Sequence, residues 1–143
     1  MRLLLTFLSI LFMANLLAQS GPKIVFEKTS HDFGTIEEGP QATTLFEFRN
    51  EGDEPLVLSN VKASCGCTVP NWPKEPILPG ESSEIEVKYN TKRRIGNFSK
   101  SITITSNATE TTKILHIKGK VESTPEEETM PVKQPNNMLS PGN

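Results

Sequence analysis

This sequence of 143 residues has few of the side chains that carry most protein chemistry. It contains two cysteines, two histidines, one tryptophan and one tyrosine. After residue 18, no stretch approaches the roughly 20 apolar residues that a membrane-spanning helix needs. Between residues 22 and 121, thirteen Lys and Arg balance thirteen Asp and Glu, so this part lacks the charge excess expected for binding nucleic acid. We therefore predict no nucleic-acid partner and no transmembrane segment in the mature chain.

The two ends differ in composition from the part between them. Residues 1–18 combine a positive charge at Arg2, an apolar run and small residues at Ala14 and Ala18, which is the layout of a signal peptide. We expect an exported protein, periplasmic or extracellular. Residues 122–143 contain four prolines, an acidic run at 126–128 and no aromatic residue. Such a composition predicts a disordered tail, which leaves one domain at residues 22–121.

Alternating apolar and polar residues predict β-strands in the central part. Phe46 and Phe48 alternate with charged residues, and the same period of two recurs around Ile85, Ile102 and Leu115, as in strands with one buried face. About seven short strands separated by turn residues predict an all-β, antiparallel immunoglobulin-like sandwich, with a small closed barrel as the alternative. The predicted core consists of Phe26, Phe33, Phe46, Phe48, Val57, Val61, Ile85, Val87, Tyr89, Phe98, Ile102, Ile104, Leu115 and Ile117.

Prolines recur at every third position from residue 70 to residue 79. This spacing matches the three-residue turn of a polyproline helix, and proline cannot donate to the ladder of a central strand. We predict an extended crossing along an edge of the sandwich or between its sheets. Trp72 lies inside this crossing. It is either packed over the sandwich edge or a contact residue, since tryptophan is enriched at binding anchors.

The segment Cys65-Gly66-Cys67 holds both cysteines and is the main candidate for unusual chemistry. In an extended strand the two Cβ atoms would lie about 6.6 Å apart, whereas a disulfide needs roughly 3.8 Å. A bond therefore requires a bend at Gly66, which glycine permits. Two thiolates make half of a zinc site, and nothing in the sequence brings His31 or His116 to them. Four interpretations stay open: a structural role, a redox-labile pair, a Cu(I) or other soft-metal site, and an intermolecular disulfide.

Two further motifs have ordinary explanations. His31-Asp32-Phe33-Gly34 includes the three letters of a kinase magnesium motif, but a kinase needs several other motifs over a far longer chain. We predict instead that Phe33 packs in the core and that Gly34 permits a bulge or turn. Lys92-Arg93-Arg94 comes just before Gly96 and predicts a solvated turn between strands, with an anionic partner as the alternative.

One combination of motifs runs through the whole central part. It consists of His31-Asp32-Phe33-Gly34-Thr35-Ile36, Phe46-x-Phe48-x-Asn50-x-Gly52, Ser64-Cys65-Gly66-Cys67-Thr68, Pro79-Gly80, Gly96 and Gly119-x-Val121. In this combination the chain resembles the bacterial exported family called domain of unknown function 1573. The resemblance implies an immunoglobulin-like sandwich, related to the Hydin, ASPM and major sperm protein-like group, and an exported location. It implies no activity, so it supplies no catalytic residues.

We therefore expect a non-catalytic binding or structural module, without cofactor or metal, whose partner is an envelope or secreted protein. An open sandwich has edge strands, and an edge can accept a partner's strand through main-chain hydrogen bonds. The candidate binding residues are Cys65, Gly66, Cys67 and Trp72. The alternative function is a thiol-based redox or Cu(I)-binding protein that uses the Cys-Gly-Cys motif.

Overall fold

The structure is a computed structural model and describes residues 21–123. The predicted signal peptide at 1–18 and all but the first two residues of the predicted tail lie outside the described residues. The described part contains no helix that is long and apolar enough to cross a membrane. Its eight strands are β1 (Ile24–Phe26), β2 (Ser30–Glu37), β3 (Gln41–Asn50), β4 (Leu58–Ala63), β5 (Thr68–Asn71), β6 (Ser82–Asn90), β7 (Gly96–Ser106) and β8 (Thr112–Glu122).

The strands form two four-stranded sheets, in the orders β1-β3-β6-β5 and β2-β8-β7-β4. This confirms the predicted all-β, immunoglobulin-like sandwich. The pairs are antiparallel except for one, in which β2 runs parallel to β8. Only three residues separate β1 from β2. The chain therefore changes sheets without reversing direction and joins the edge of the second sheet beside β8.

Strand alternation fills the space between the sheets with apolar side chains. Along β3, every second residue from Thr44 to Asn50 is buried and the residues between them are exposed. The rings of Tyr89 and Phe98 stack with centroids 4.0 Å apart and so join β6 of one sheet to β7 of the other. The buried apolar residues are Ile24, Phe46, Phe48, Leu56, Leu58, Val61, Cys67, Ile77, Ile85, Val87, Tyr89, Phe98, Ile102, Ile104, Ala108, Leu115, Ile117 and Val121.

A register shift in β4 explains one error in the predicted core. The pairing of β4 with β7 slips between Leu58 and Asn60, so Leu58 and Val61 are both buried although they are three residues apart. Strict alternation would place only one of them inside. Val57, which was predicted in the core, is only half-buried, and its neighbours Leu56 and Leu58 are buried in its place.

Phe26 and Phe33 were also predicted in the core, and both are only partly buried. They lie on β1 and β2, which are edge strands of the two sheets. An edge strand has a neighbour on one side only, so its inward side chains are less completely covered. The two phenylalanines pack against the core from its margin.

The strand that the sequence pattern did not predict is β5. It forms the beginning of the proline crossing and pairs with β6 at one edge of its sheet. Its edge position agrees with the prediction for this segment, because Pro70 lacks the N–H that a central strand would use. At the other end of the domain, β8 extends to Glu122.

Asn50, the last residue of β3, is fully buried and ties three segments together. Its Oδ1 accepts hydrogen bonds from Lys23 N at 3.2 Å and from Gly52 N at 3.0 Å. Its Nδ2 donates to Glu54 O at 2.8 Å and to Ile77 O at 2.9 Å. One side chain therefore holds the start of β1, the turn after β3 and the end of the proline crossing.

Candidate functional site

The Cys65-Gly66-Cys67 segment is the connection between the two sheets. β4 ends at Ala63 in one sheet, and β5 begins at Thr68 in the other. Between them the chain makes a turn, closed by a hydrogen bond from Thr68 N to Cys65 O at 3.3 Å. The motif therefore lies where the chain leaves one sheet and enters the other at the start of the proline crossing.

Cys65 and Cys67 form a disulfide, with their Cα atoms 5.2 Å apart. Two residues of extended strand would separate them by about 6.6 Å, so the turn at Gly66 brings them within bonding range. The structural and the redox interpretations both use this intramolecular bond. A Cu(I) site would need the bond to be reduced first, because the metal binds thiolates.

The two cysteines differ in exposure. Cys67 is 7% exposed and belongs to the core, whereas Cys65 is half-buried and packs against the core from its margin. The Thr68 Oγ1 lies 3.6 Å from Cys65 Sγ and 3.8 Å from Cys67 Sγ. Gly66 is exposed. A thiol in solution would consequently reach Cys65 more readily than Cys67.

The free edge of β5 offers few hydrogen-bond donors to a partner strand. Asn90 N donates a hydrogen bond to Cys67 O at 2.9 Å, so the backbone groups of Cys67 point towards β6. In an antiparallel pair, hydrogen-bonded and non-hydrogen-bonded residues alternate. The backbone groups of Thr68 and Pro70 therefore point away from β6. Thr68 N already bonds within the turn, and Pro70 has no N–H. The edge therefore presents the carbonyl oxygens of Thr68 and Pro70 as acceptors without the matching donors, which blunts ordinary strand addition.

Two apolar side chains lie on or just beyond this edge strand. Val69, in the middle of β5, is 57% exposed. Trp72, one residue beyond the strand, is partly buried against the core, and its indole Nε1 is buried with no hydrogen-bond partner in the described part of the chain. The Lys74 ammonium lies 2.9 Å from the centroid of the indole ring, within cation–π range.

The structure thus brings the four sequence-predicted site residues to one margin of the sandwich. The turn with Cys65, Gly66 and Cys67 lies at one end of β5, and Trp72 lies at the other, some 13 Å away along four residues. Sequence reasoning missed Val69. The exposure of Val69 is hard to recognise in the sequence, because β5 has only four residues and is too short to show a clear alternation of apolar and polar residues.

The histidines do not join this site. His31 lies in β2, where its ring meets Phe33 edge-on at 4.5 Å between centroids, and His116 lies in the neighbouring strand β8. Burial, followed by the positive charge of Lys28, lowers the pKa of His31. Across residues 21–123, no group of three or more His, Cys, Asp or Glu side chains is placed to hold a metal ion.

The His31-Asp32-Phe33-Gly34 motif shapes an edge strand. Asp32 Oδ1 accepts a hydrogen bond from Gly34 N at 2.9 Å, and Asp32 Oδ2 lies 3.3 Å from Lys118 Nζ. The first of these contacts, then the second, lowers the pKa of Asp32. Gly34 has a φ of 64°, and the β2–β8 register shifts beside it. The predicted bulge or turn at Gly34 is confirmed.

Lys92-Arg93-Arg94 lies in the connection between β6 and β7, as predicted. All three residues are exposed. Arg93 has a φ of 55°, and its backbone N donates to Glu38 Oε1 at 2.6 Å. This contact joins the turn to the neighbouring β2–β3 turn at the same end of the sandwich.

Two packed four-stranded sheets, in the orders β1-β3-β6-β5 and β2-β8-β7-β4, define an immunoglobulin-like sandwich. The family model for "Protein of unknown function (DUF1573)" matches residues 24–121, and the chain belongs to this family. No curated protein matches it.

Three solved structures illustrate the shared fold. A protein of unknown function from Porphyromonas gingivalis W83 aligns with a TM-score of 0.64 at 19% identity over 74% of this chain and 51% of its own, so this chain spans about half of that relative. PapD-like domain 7 of human CEP192 aligns with 0.60 at 10% identity over 75% and 92%. The YadV chaperone aligns with 0.53 at 11% identity over 72% and 54%. At these identities the likeness concerns the fold alone.

Proposed function

We propose that this protein is an exported, non-catalytic module that binds an envelope or secreted protein. The contact surface is the margin formed by Cys65, Gly66, Cys67, Val69 and Trp72, here called the β5 edge surface. The observation that carries the proposal is Val69: a valine 57% exposed on an edge strand, three residues before a tryptophan that is only partly covered. Tryptophan is enriched at the anchor positions of binding surfaces, and Val69 extends the apolar side chains of this margin to the outer face of the edge strand.

The hydrogen-bonding pattern of this edge restricts the partner. The carbonyl oxygens of Thr68 and Pro70 face away from β6, and neither residue has a free N–H to match them. A partner segment therefore gains hydrogen bonds by donating N–H groups and gains the rest of its affinity from apolar side chains against Val69 and Trp72. This pattern favours a partner held mainly by side-chain contacts over a continuous added strand.

Export is supported by two independent features. The layout of residues 1–18 is that of a signal peptide. The pairing of Cys65 with Cys67 suits an oxidising compartment such as the periplasm or the extracellular space.

The test is a photoreactive amino acid placed at residue 69 in the native host. Ile114 supplies the matched control, because it is also a large apolar residue, 48% exposed, on the other sheet. We expect a discrete crosslink from position 69, and mass spectrometry then identifies the partner. The purified partner should bind Val69→Asp at least about tenfold more weakly than the wild type, a loss of 1.4 kcal/mol, and Ile114→Asp unchanged. Equal crosslinking from both positions, or equal affinities, would sink the proposal.

A second candidate function is thiol–disulfide exchange, which the half-buried position of Cys65 favours. A thiolate from a small-molecule thiol would attack Cys65 Sγ, form a mixed disulfide and release Cys67 as a thiolate. A second thiol would then release Cys65, so the pair gains two electrons and the small thiol is oxidised. Alkylation followed by intact-mass measurement reports the fraction reduced. A bond that resists mild reductant would rule out this function.

The Cu(I) version of this alternative uses the reduced pair. The two thiolates of Cys65 and Cys67 would then bind the soft ion. Competition with a Cu(I) chelator, on the reduced chain, measures the affinity. An affinity unchanged by the double substitution Cys65→Ser and Cys67→Ser would show that the pair does not hold copper.

A further inference from the structure

The change of sheets between β1 and β2 leaves one margin of the sandwich open. β1 ends at Phe26 in the first sheet, and β2 begins at Ser30 in the second, where it pairs with His116 of β8. Residues 112–115 of β8 therefore have β7 on one side and no strand of the described chain on the other. β1 likewise has β3 as its only neighbour within residues 21–123. Two strand edges, one from each sheet, consequently face the same opening.

A groove of about 550 Å³ lies in this opening. Its lining comes from β1 on one side and from the β7–β8 turn and the start of β8 on the other. Hydrogen bonds join the two walls at either end: Thr109 N donates to Pro22 O at 3.0 Å before β1, and His116 N donates to Thr29 O at 2.8 Å after it. The volume is within the range of ligand-binding pockets.

The free edge of β1 presents both donors and acceptors to this groove. Glu27 N donates to Glu47 O at 3.1 Å, so the backbone groups of Glu27 point towards β3. In an antiparallel pair the direction alternates from residue to residue, and the N–H and C=O groups of Ile24 and Phe26 therefore point away from β3. No backbone hydrogen bond from residues 21–123 reaches them there. The edge of β5, by contrast, lacks the donors.

The charges of the groove favour an acidic ligand. Among the described residues that line it, Lys23 and Lys113 carry positive charges and Glu110, which pairs with Lys113, carries a negative one. Lys23 pairs with Glu51 at 3.5 Å, but both side chains are about half exposed, so this pair is weak. Because two ammonium groups line the groove with one carboxylate, a ligand that brings one carboxylate balances them.

We propose that this groove binds a short extended segment of a partner protein, which adds as a strand to the free edge of β1. The backbone of the segment bonds to Ile24 and Phe26. Its inward side chains are mainly apolar, because Ile24 and Ala108 are buried and Phe26 is half-buried in the lining, and one of them carries a carboxylate for Lys113. The groove and the β5 edge surface lie at opposite edges of one sheet, so neither proposal depends on the other.

A synthetic peptide of about seven residues, roughly 23 Å when extended, tests the site. Valine alternates with threonine in it, one valine is replaced by glutamate, and both ends are capped to remove their charges. We expect the peptide to move the NMR amide signals of Ile24, Phe26 and Lys113 and to leave that of Val69 in place. No movement at these residues with peptide in the millimolar range, or equal movement at Val69, would overturn the proposal.

Two N-methylated forms of the peptide test the hydrogen bonds. Successive residues of an added strand point their N–H groups alternately towards β1 and away from it. In an antiparallel strand the residues opposite Ile24 and Phe26 have inward side chains, so methylating the inward residues should weaken binding about tenfold, as the loss of two hydrogen bonds implies. Methylating the threonines should change nothing. A loss confined to the threonine form would indicate a parallel strand in the same groove, and equal affinities of the two forms would overturn strand addition.

The variant Lys113→Glu tests the charge of the ligand. Wild type should bind the glutamate peptide about two- to fivefold more tightly than a peptide with lysine in that position, as for an exposed ion pair, and Lys113→Glu should reverse this preference. Lys62→Glu is the matched control, because Lys62 is an exposed lysine of β4 outside the groove, and it should keep the preference. The comparison uses two peptides on one folded chain, so a loss of stability does not produce a reversal. An unchanged preference in Lys113→Glu would overturn the acidic ligand.

Discussion

Replacing Asn50 by alanine tests whether one buried side chain holds the domain together. The amide makes four hydrogen bonds, of 2.8 to 3.2 Å, to backbone groups of three separate segments. Alanine leaves two N–H groups and two carbonyl oxygens without that partner, at a residue that is 0% exposed. The loss therefore falls on the β1 start, the turn after β3 and the end of the crossing at once.

The size of the effect follows from the number of groups that lose this partner, among which Ile77 O keeps a hydrogen bond from Leu56 N at 2.9 Å. A buried polar group without its partner costs about 1–3 kcal/mol, and water entering at the less buried of the four groups offsets part of the sum. We expect Asn50→Ala to lower the free energy of unfolding by about 3 kcal/mol. That is a large share of the roughly 5–15 kcal/mol typical of a domain, and it corresponds to a melting temperature lower by about 12–24 °C for a domain of this size.

Urea unfolding measures the effect, with the fluorescence of Trp72, the sole tryptophan, as the signal. The change is read from the midpoint at constant m value. Asn60→Ala is the matched control, because Asn60 is an exposed asparagine in a strand and should change stability by less than about 0.5 kcal/mol. A loss at Asn50 no larger than the loss at Asn60 would refute the reasoning.

Three further predictions concern the second sheet and the turns beside it. Gly119→Ala places a Cβ 2.9 Å from the carbonyl oxygen of Gly34 and should lower the free energy of unfolding, measured by calorimetry, by about 1–3 kcal/mol. In the control Gly66→Ala the new Cβ meets nothing within 4 Å, so the stability should be nearly unchanged; equal losses in the two variants would contradict the packing argument. Thr91→Val removes both hydrogen bonds of the Thr91 hydroxyl and should cost about 1–3 kcal/mol while speeding amide exchange in the β2–β3 turn; unchanged exchange would count against it. The hydrogen bond from Gly34 N lowers the pKa of Asp32 from 3.8, so the stability that this carboxylate contributes is present above pH 3.8 and is lost as the pH falls through the folded-state pKa. The free energies of unfolding of wild type and Asp32→Asn should therefore converge in acid, and a titration midpoint of the Asp32 carboxyl at or above 3.8 would be inconsistent with this.

The sequence pattern predicts the fold well where a strand has one buried and one exposed face. Phe46 and Phe48 on β3 and Ile102 and Ile104 on β7 are buried as the period of two requires. Each of these strands lies between two neighbours in its sheet. A central strand obeys strict alternation because pairing on both sides fixes its register.

The errors fall at edges and irregularities, where alternation carries less information. Because of the bulge in β4, Leu58 lies in the core and the predicted core residue Val57 is only half-buried. Nothing in the local composition indicates this shift of register. The short strand β5 contains Pro70, which argues against a strand in any position except an edge. Whether β2 runs parallel or antiparallel to its neighbour depends on which sheet it joins. The local alternation of apolar and polar residues does not indicate which sheet that is.

The candidate site was predictable in part. The need for a bend at Gly66 follows from the distance between Cys65 and Cys67 in a straight strand, and the turn found there meets it. The position of Trp72 relative to the disulfide was not predictable, because it depends on the path of β5, a strand that the pattern did not reveal. The exposure of Val69 depends on the same strand and was missed for the same reason.

The family motif specifies the framework of this domain more than a binding site. Asn50 holds three segments by hydrogen bonds, and a side chain at Gly52 would collide with the backbone at Lys23, 2.6 Å from its N atom. Gly119 allows β8 to approach the carbonyl of Gly34. The presence of Asn50, Gly52 and Gly119 in the motif is therefore explained by hydrogen bonds to the backbone and by close approach of backbone segments, without a ligand. Val69 and Trp72 lie outside the motif, so the motif does not specify the exposed apolar part of the β5 edge surface.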